Sequence, residues 1–295
     1  MGADLYANDT FARQVFDQIE SAIDLNVSTL CFESDEETLR QTQNAQIALY
    51  TCGLAAWHAL KGALPDLKVG AVAGHSVGEY AALAAAGVIS VEDGARLVRA
   101  RGQLMASSGQ ARPGTMAAVL GLDVEAIEAI AKDVASNGVC VVANDNCPGQ
   151  LVISGDVDAI AMASGIAMDR GAKRVIPLNV SGAFHSPLMD ESAKSLRANL
   201  DAVQFNAGDV PVISNVTAEP GEDWPKLLEL QLKSPVRWTE SVQAILGKGI
   251  STFVECGSGE VLTTLLRRIE KAATGLRVID SATLADTVES LGGNQ

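Results

Sequence analysis

The stretch VGAVAGHSVGEYAALAAAG, residues 69–87, sets Ser76 between Gly74 and Gly78. An apolar small-residue run, then G-x-S-x-G, then an alanine-rich run reads as strand, turn and helix, the arrangement of a nucleophile elbow. The flanking glycines are expected to allow the tight turn and a close approach of helix to strand. Ser76 is left strained and exposed at a helix N-terminus, where the N–H of Val77 and the helix dipole stabilise an oxyanion. The bland alternative is a chance pentapeptide in a chain with 27 glycines. The strand and helix signals on either side favour the nucleophile.

A serine nucleophile needs a base, and the chain has three histidines. His58 lies in the apolar helix GLAAWHAL and reads as a core or helix-surface residue. His75 precedes the nucleophile, so the turn sends its side chain elsewhere. His185 follows the small-residue loop NVSGAF, and Pro187 suits the first turn of the next helix. A histidine at a helix N-terminus is biased toward the neutral form, which accepts a proton. His185 is the expected general base.

An arginine narrows the substrate. In the helix that Ser90 caps, Glu92, Arg96, Arg99 and Gln103 form a polar face, whereas Arg101 shares a stripe with Leu97, Val98, Leu104 and Met105. A buried guanidinium requires an anion, either a distant Asp or Glu or a bound ligand. For a ligand, the planar fork suits a carboxylate held by two hydrogen bonds. Serine, histidine and such an arginine together suggest transfer of an acyl group bearing a free carboxylate.

These residues need a body to hold them. The chain has 295 residues, 47% of them hydrophobic, enough for one large domain or a domain with an insert. A formal charge of −14 disfavours general nucleic-acid binding. The five cysteines lack metal-ligand spacing and read as buried reduced thiols. The acidic start MGADLYANDT is not a signal peptide, and no apolar run reaches the roughly 20 residues of a membrane span. The expectation is a soluble, cytoplasmic monomer without a metal or cofactor.

Helices are expected over 9–24 and 43–62, and Gly87 closes the helix after Ser76. Between 112 and 182 the order is strand, helix, two strands joined at Pro148-Gly149, helix and strand, the βαββαβ of a ferredoxin-like unit. Alternating strands and helices elsewhere argue for a parallel sheet covered on both faces. The predicted architecture is therefore α/β: a hydrolase-like core of 1–111 and 183–295, mostly parallel, with a ferredoxin-like subdomain of 112–182 inserted. The terminal LGGNQ reads as a frayed tail.

Taken together, GHSVGEYAALAAAGVIS, RARGQLM, GAFHSPLM, QLKSPVRW and FVECGSGEVLTTLL resemble, in order and spacing, the landmarks of the malonyl-CoA:acyl carrier protein transacylases. The resemblance implies a ping-pong reaction: Ser76, activated by His185, takes malonyl from malonyl-CoA, and the phosphopantetheine thiol of acyl carrier protein collects it, in fatty acid biosynthesis. Gln231 matches the position that orients the histidine, and Arg101 the malonate clamp. GAFH is similar to the HAFH form associated with malonyl selection, Phe184 crowding a branched α-carbon. Gln150 and Gln46 match positions near the pocket, and Val77 the oxyanion donor. Docking of an acidic carrier protein is expected near Lys173, Arg174, Arg267 or Arg268.

Members of that family begin with a strand and loop of the type FPGQGSQ, whose glutamine N–H is a second oxyanion donor, and MGADLY resembles the family's segment immediately after that loop. The implied expectation is that residues 1–295 alone are weakly active and less stable than a chain carrying the strand and loop. Two rivals stand beside this reading: a serine esterase or thioesterase on the same core, and a catalytically impaired carrier-protein-binding homologue.

Overall fold

The structure, a computed structural model, describes residues 1–180 and 182–292. The chain opens with α1 (Ala3–Asn8), α2 (Thr10–Ile23), α3 (Val27–Glu33), α4 (Glu36–Arg40) and α5 (Thr42–Ala63). Then come β1 (Val72–Ala73), α6 (Gly78–Ala85) and α7 (Val91–Ala111). A second stretch holds β2 (Thr115–Leu120), α8 (Val124–Asp133), β3 (Cys140–Cys147), β4 (Gln150–Gly155), α9 (Val157–Asp169) and β5 (Arg174–Pro177). The remainder holds α10 (Asp190–Asp201), β6 (Val212–Ile213), α11 (Trp224–Gln231), β7 (Val236–Arg237) and α12 (Trp238–Leu246). It continues through β8 (Thr252–Cys256), α13 (Val261–Ile269), β9 (Thr274–Val278) and α14 (Ser281–Gly292). The expected tail falls at the last turn of α14 and, for 293–295, outside the described residues.

These elements form two compact units, Met1–Arg99 with Val203–Ile213 and Ile245–Gln295, and Ala100–Ala202 with Ser214–Ala244. In the first, α2 follows the sequence pattern closely. Ala12, Val15, Phe16, Ile19 and Ile23 recur at three- and four-residue steps and are buried, and the Asp9 side chain caps the helix by accepting from the Ala12 N–H. α5, apolar on most faces, is buried along most of its length. Two parallel pairs supply the strands: Val72 and Ala73 pair with Val212 and Ile213, and β8 pairs with β9 from Thr252↔Thr274 to Cys256↔Val278.

The run VGAVAG keeps only two ladder residues because the chain turns at Gly74. A Cβ on Gly74 would lie 1.9 Å from the Gly78 carbonyl oxygen, so no other residue fits without moving backbone. The turn closes with the Gly78 N–H donating to the His75 carbonyl at 2.9 Å and the Glu79 N–H to the Ser76 carbonyl at 3.1 Å. Gly78 itself differs from expectation, since a Cβ there meets nothing within 4 Å. The close approach falls on the first glycine alone.

The second unit is built on a five-stranded sheet in the order β5-β2-β4-β3-β7. The pairs β2·β5, β2·β4 and β3·β4 are antiparallel, and β7 joins β3 in parallel. Pro148-Gly149 makes the β3–β4 turn, with Gly149 at φ 71°, the left-handed conformation that a Pro-Gly turn places on its glycine. Ala117, Val119, Leu151 and Ile153 alternate onto one sheet face and pack with Ile127 and Ile130 of α8 and Ala159, Ile160, Ala163 and Ala167 of α9. Gln150 and Val152 alternate to the opposite face. Ser90 caps α7 by accepting from the Asp93 N–H at 3.0 Å. Among the described residues no helix is long and apolar enough to cross a membrane.

The two glycines of the elbow separate in a thermal-unfolding comparison. Gly74→Ala is expected to destabilise by about 3 kcal/mol or more through overlap with backbone. Gly78→Ala, at the first helical residue, is expected to be neutral or to stabilise by about 0.5 kcal/mol. Equal losses for both would contradict the geometry.

Candidate active site

The first unit carries Ser76, Val77 and Gln46, and the second carries Arg101, Gln150, Phe184, His185 and Gln231. Each group is described within its own unit. Ser76 sits at φ 52°, a left-handed conformation that costs a non-glycine residue about 1–3 kcal/mol and persists only where the surroundings enforce it. Its neighbour Val77 is the N-cap of α6, which places a half-buried serine immediately before a helix N-terminus. Glu79, to which the sequence pattern assigns no role, is wholly buried in the first turn of α6, where an acid complements the positive helix end. Gln46 is buried on α5. His58, on the same helix, is half-buried, and burial lowers its pKa, keeping it neutral.

In the second unit, His185 is 3% exposed and stands at φ 56°, the second strained non-glycine residue among those predicted to do chemistry. Its N–H donates to the Leu232 carbonyl at 3.0 Å. Its ring Nδ1 lies 2.7 Å from the main-chain carbonyl oxygen of Gln231. A carbonyl has no hydrogen to give, so Nδ1 carries the proton and Nε2 is left with its lone pair, the tautomer a general base requires. Beyond it, Ser186 caps a 3-10 turn over Pro187–Met189 that leads into α10.

Gln231, the last residue of α11, is fully buried and not a surface glutamine. Its contact with the histidine ring runs through the main-chain oxygen rather than the side chain. Its side-chain Oε1 accepts instead from Arg101 Nη2 at 2.9 Å. Arg101, 1% exposed, is buried on the apolar stripe of α7 with Leu97, Val98 and Met105. One residue thus positions an imidazole with one oxygen and a guanidinium with the other. The first job leaves no trace in the sequence, because every residue has a main-chain carbonyl.

Phe184 is buried, its ring near Gly182. Gln150 opens β4 half-buried, its Oε1 4.0 Å from Cys147 Sγ. The five cysteines are free thiols, four buried and Cys256 intermediate. Among the described residues no group of three or more His, Cys, Asp and Glu is arranged to hold a metal ion. Chemically, the second unit offers a neutral base and a buried cation; the first offers a strained hydroxyl beside backbone N–H donors.

Comparison with known proteins places the chain in a family. The family model described as acyl transferase domain matches residues 1–290. A malonyl CoA-acyl carrier protein transacylase of Bacillus subtilis (strain 168) is 42% identical over 298 residues, covering 99% of this chain and 92% of that protein. The crystal structure of an acyl-carrier-protein-S-malonyltransferase from Bartonella henselae superposes with a TM-score of 0.94 at 40% identity, covering 99% of this chain and 95% of that one. A type II PKS acyl-carrier protein in complex with its malonyl-transacylase gives a TM-score of 0.93 at 35% identity, over 98% of this chain and 94% of the other. The α/β fold is theirs, and the chain belongs to the acyl transferase domain family.

Proposed function

We propose that this chain transfers malonyl from malonyl-CoA to the phosphopantetheine thiol of acyl carrier protein, through a malonyl ester on Ser76, as a cytoplasmic enzyme of fatty acid biosynthesis. The observation that carries the reading is the single residue, Gln231, joining a base in its reactive tautomer to a buried guanidinium. A base and a cation held so close select an acyl group that ends in a carboxylate.

In the first half-reaction the Ser76 hydroxyl proton passes to His185 Nε2 as Oγ attacks the thioester carbonyl. The Val77 N–H faces the developing oxyanion. The C–S bond breaks and the coenzyme A thiolate leaves with the proton from His185. In the second half the carrier thiol gives its proton to Nε2, its sulfur attacks the ester, and Ser76 recovers its hydrogen. A thiolate is a good leaving group, so the imidazolium needs no carboxylate behind it; a neutral carbonyl suffices. A triad acid here would repel the malonate carboxylate that Arg101 is to hold.

Phe184 restricts the space at the α-carbon, and Gln150 and Gln46 contribute polar contacts to the bound substrate. The reading needs no cofactor. We place the acyltransferase core in 1–111 and 183–295 and a ferredoxin-like subdomain in 112–182, which the βαββαβ order of 115–177 supports. Lys173, Arg174, Arg267 and Arg268 are all exposed and are our candidates for docking an acidic carrier.

Intact-mass measurement after mixing with malonyl-CoA is expected to show one malonyl group, mapped to Ser76 and absent in Ser76→Ala. Continuous hydrolysis without carrier protein would instead mark an esterase. Ser76→Gly, free of the strain, is expected to be more stable than Ser76→Ala by about 1 kcal/mol.

Gln231→Ala removes the amide but keeps the main-chain oxygen. It is expected to lower the preference for malonyl over acetyl about tenfold, as the loss of a hydrogen bond to a charged group does, with base-dependent transfer of acetyl retained. Arg101→Ala is expected to act in the same sense and more strongly, by about 10²-fold, whereas His185→Ala slows both acyl groups. If Gln231→Ala slows both equally, the side chain orients the histidine and the assignment is wrong.

A further inference from the structure

We propose that the ion pair between Asp190 and Lys233 is a positioning device for His185, tying the segment that holds its ring to the helix that comes after it. The inference rests on the transferase reading above. Three contacts connect residues 185–190 with residues 231–233, all inside the second unit. The His185 ring and main-chain N–H reach the carbonyls of Gln231 and Leu232, and Lys233 Nζ reaches Asp190 Oδ1 at 2.6 Å. The first two act on His185 itself. The third fixes the distance between the end of α11 and the first residue of α10, between which the other two lie.

Such a tether matters because His185 is held in a left-handed conformation. A residue of that kind relaxes unless neighbouring segments fix it from more than one side. The carbonyls of 231 and 232 enforce the conformation only while their segment keeps its place. Lys233 is anchored at both ends of its short span: its own N–H donates to the Leu230 carbonyl at 3.0 Å, and its ammonium holds Asp190.

The acid is well held. Hydrogen bonds from Lys194 and Lys233 pull the Asp190 carboxyl down to about 2, so it stays ionised across the range in which imidazole works. Lys194 Nζ sits 2.7 Å from Asp190 Oδ2, but it belongs to the same helix and ties nothing to α11. Its other partner, Glu191, lies on that helix too. With the Lys233 side chain 26% exposed and that of Asp190 40% exposed, the pair adds little to global stability. Its effect lies in the placement of the ring.

The test measures malonyl-Ser76 formation in Lys233→Met, Asp190→Asn, Lys194→Ala and Lys233→Arg. Lys233→Met and Asp190→Asn are each expected to lower the rate constant at saturation about fivefold, with KM for malonyl-CoA unchanged. Lys233→Arg, which keeps the tether, is expected to restore most of the rate. Lys194→Ala, which removes the same charge from the same partner, is expected to match the unmutated enzyme. The double variant Lys233→Met with Asp190→Asn is expected to be no slower than either single one. A field effect would change the rate in opposite directions in the two single variants, because one removes a cation and the other an anion; that outcome overturns the proposal. So does a Lys233→Met enzyme as fast as the unmutated one, or equal loss in Lys194→Ala. If the unmutated enzyme forms no malonyl-Ser76, the transferase reading fails first and takes the tether's role with it.

Discussion

Gln231 spends its two oxygens on two different tasks, and the chemistry of the second unit depends on that division. The main-chain oxygen fixes the protonated nitrogen of His185, and the side-chain oxygen fixes Arg101. Neither contact brings a negative charge. A carboxylate in the same place would hold the imidazole more strongly, yet it would also neutralise the arginine and repel an anionic substrate. Under the proposed function, such a neutral arrangement suits the exchange of thiolates, which leave without strong acid assistance.

Strain is concentrated where the chemistry is assigned. Of the four non-glycine residues at positive φ among the described residues, two are Ser76 and His185. Each is pinned by short-range contacts in its own unit. At Ser76 the turn bonds from His75 and Ser76 to the helix, with no room for a side chain at Gly74, leave the elbow one conformation. At His185 the carbonyls of 231 and 232 do the equivalent work across 46 residues of sequence. At both sites the left-handed backbone costs local stability that the surrounding contacts must offset.

Much of this is legible in the amino-acid pattern, for identifiable reasons. The burial of Arg101 reflects its 3.6-residue spacing with Leu97, Val98 and Met105, and the Pro148-Gly149 turn and the Ser90 cap reflect local turn and capping chemistry. Other features leave no such signal. α1, α3 and α4 are too short for an amphipathic period to develop. β7 is two residues long and comes after Pro235, so only its pairing with Asn144 and Asp145 reveals it. α14 is foreshadowed by Asp280, whose side chain accepts from the Thr283 N–H as a helix cap, a signature masked by the glycine-rich terminus. The need for glycine at 74 and its irrelevance at 78 depend on the path of the backbone, which the pentapeptide motif does not encode. The same holds for the oxygen that Gln231 offers to His185, and for the meeting of Asp190 with Lys233.

His185 is held through Nδ1 by a main-chain carbonyl, which leaves the lone pair on Nε2. Nitrogen NMR of the ring, with the enzyme labelled at histidine and the His185 signals assigned through a His185→Gln variant, reads the tautomer directly. The neutral ring is expected to carry its hydrogen on Nδ1, with Nε2 showing the shift of a bare nitrogen. A neutral ring carrying its hydrogen on Nε2 would contradict this, because Nδ1 would then have no hydrogen to donate to the Gln231 carbonyl.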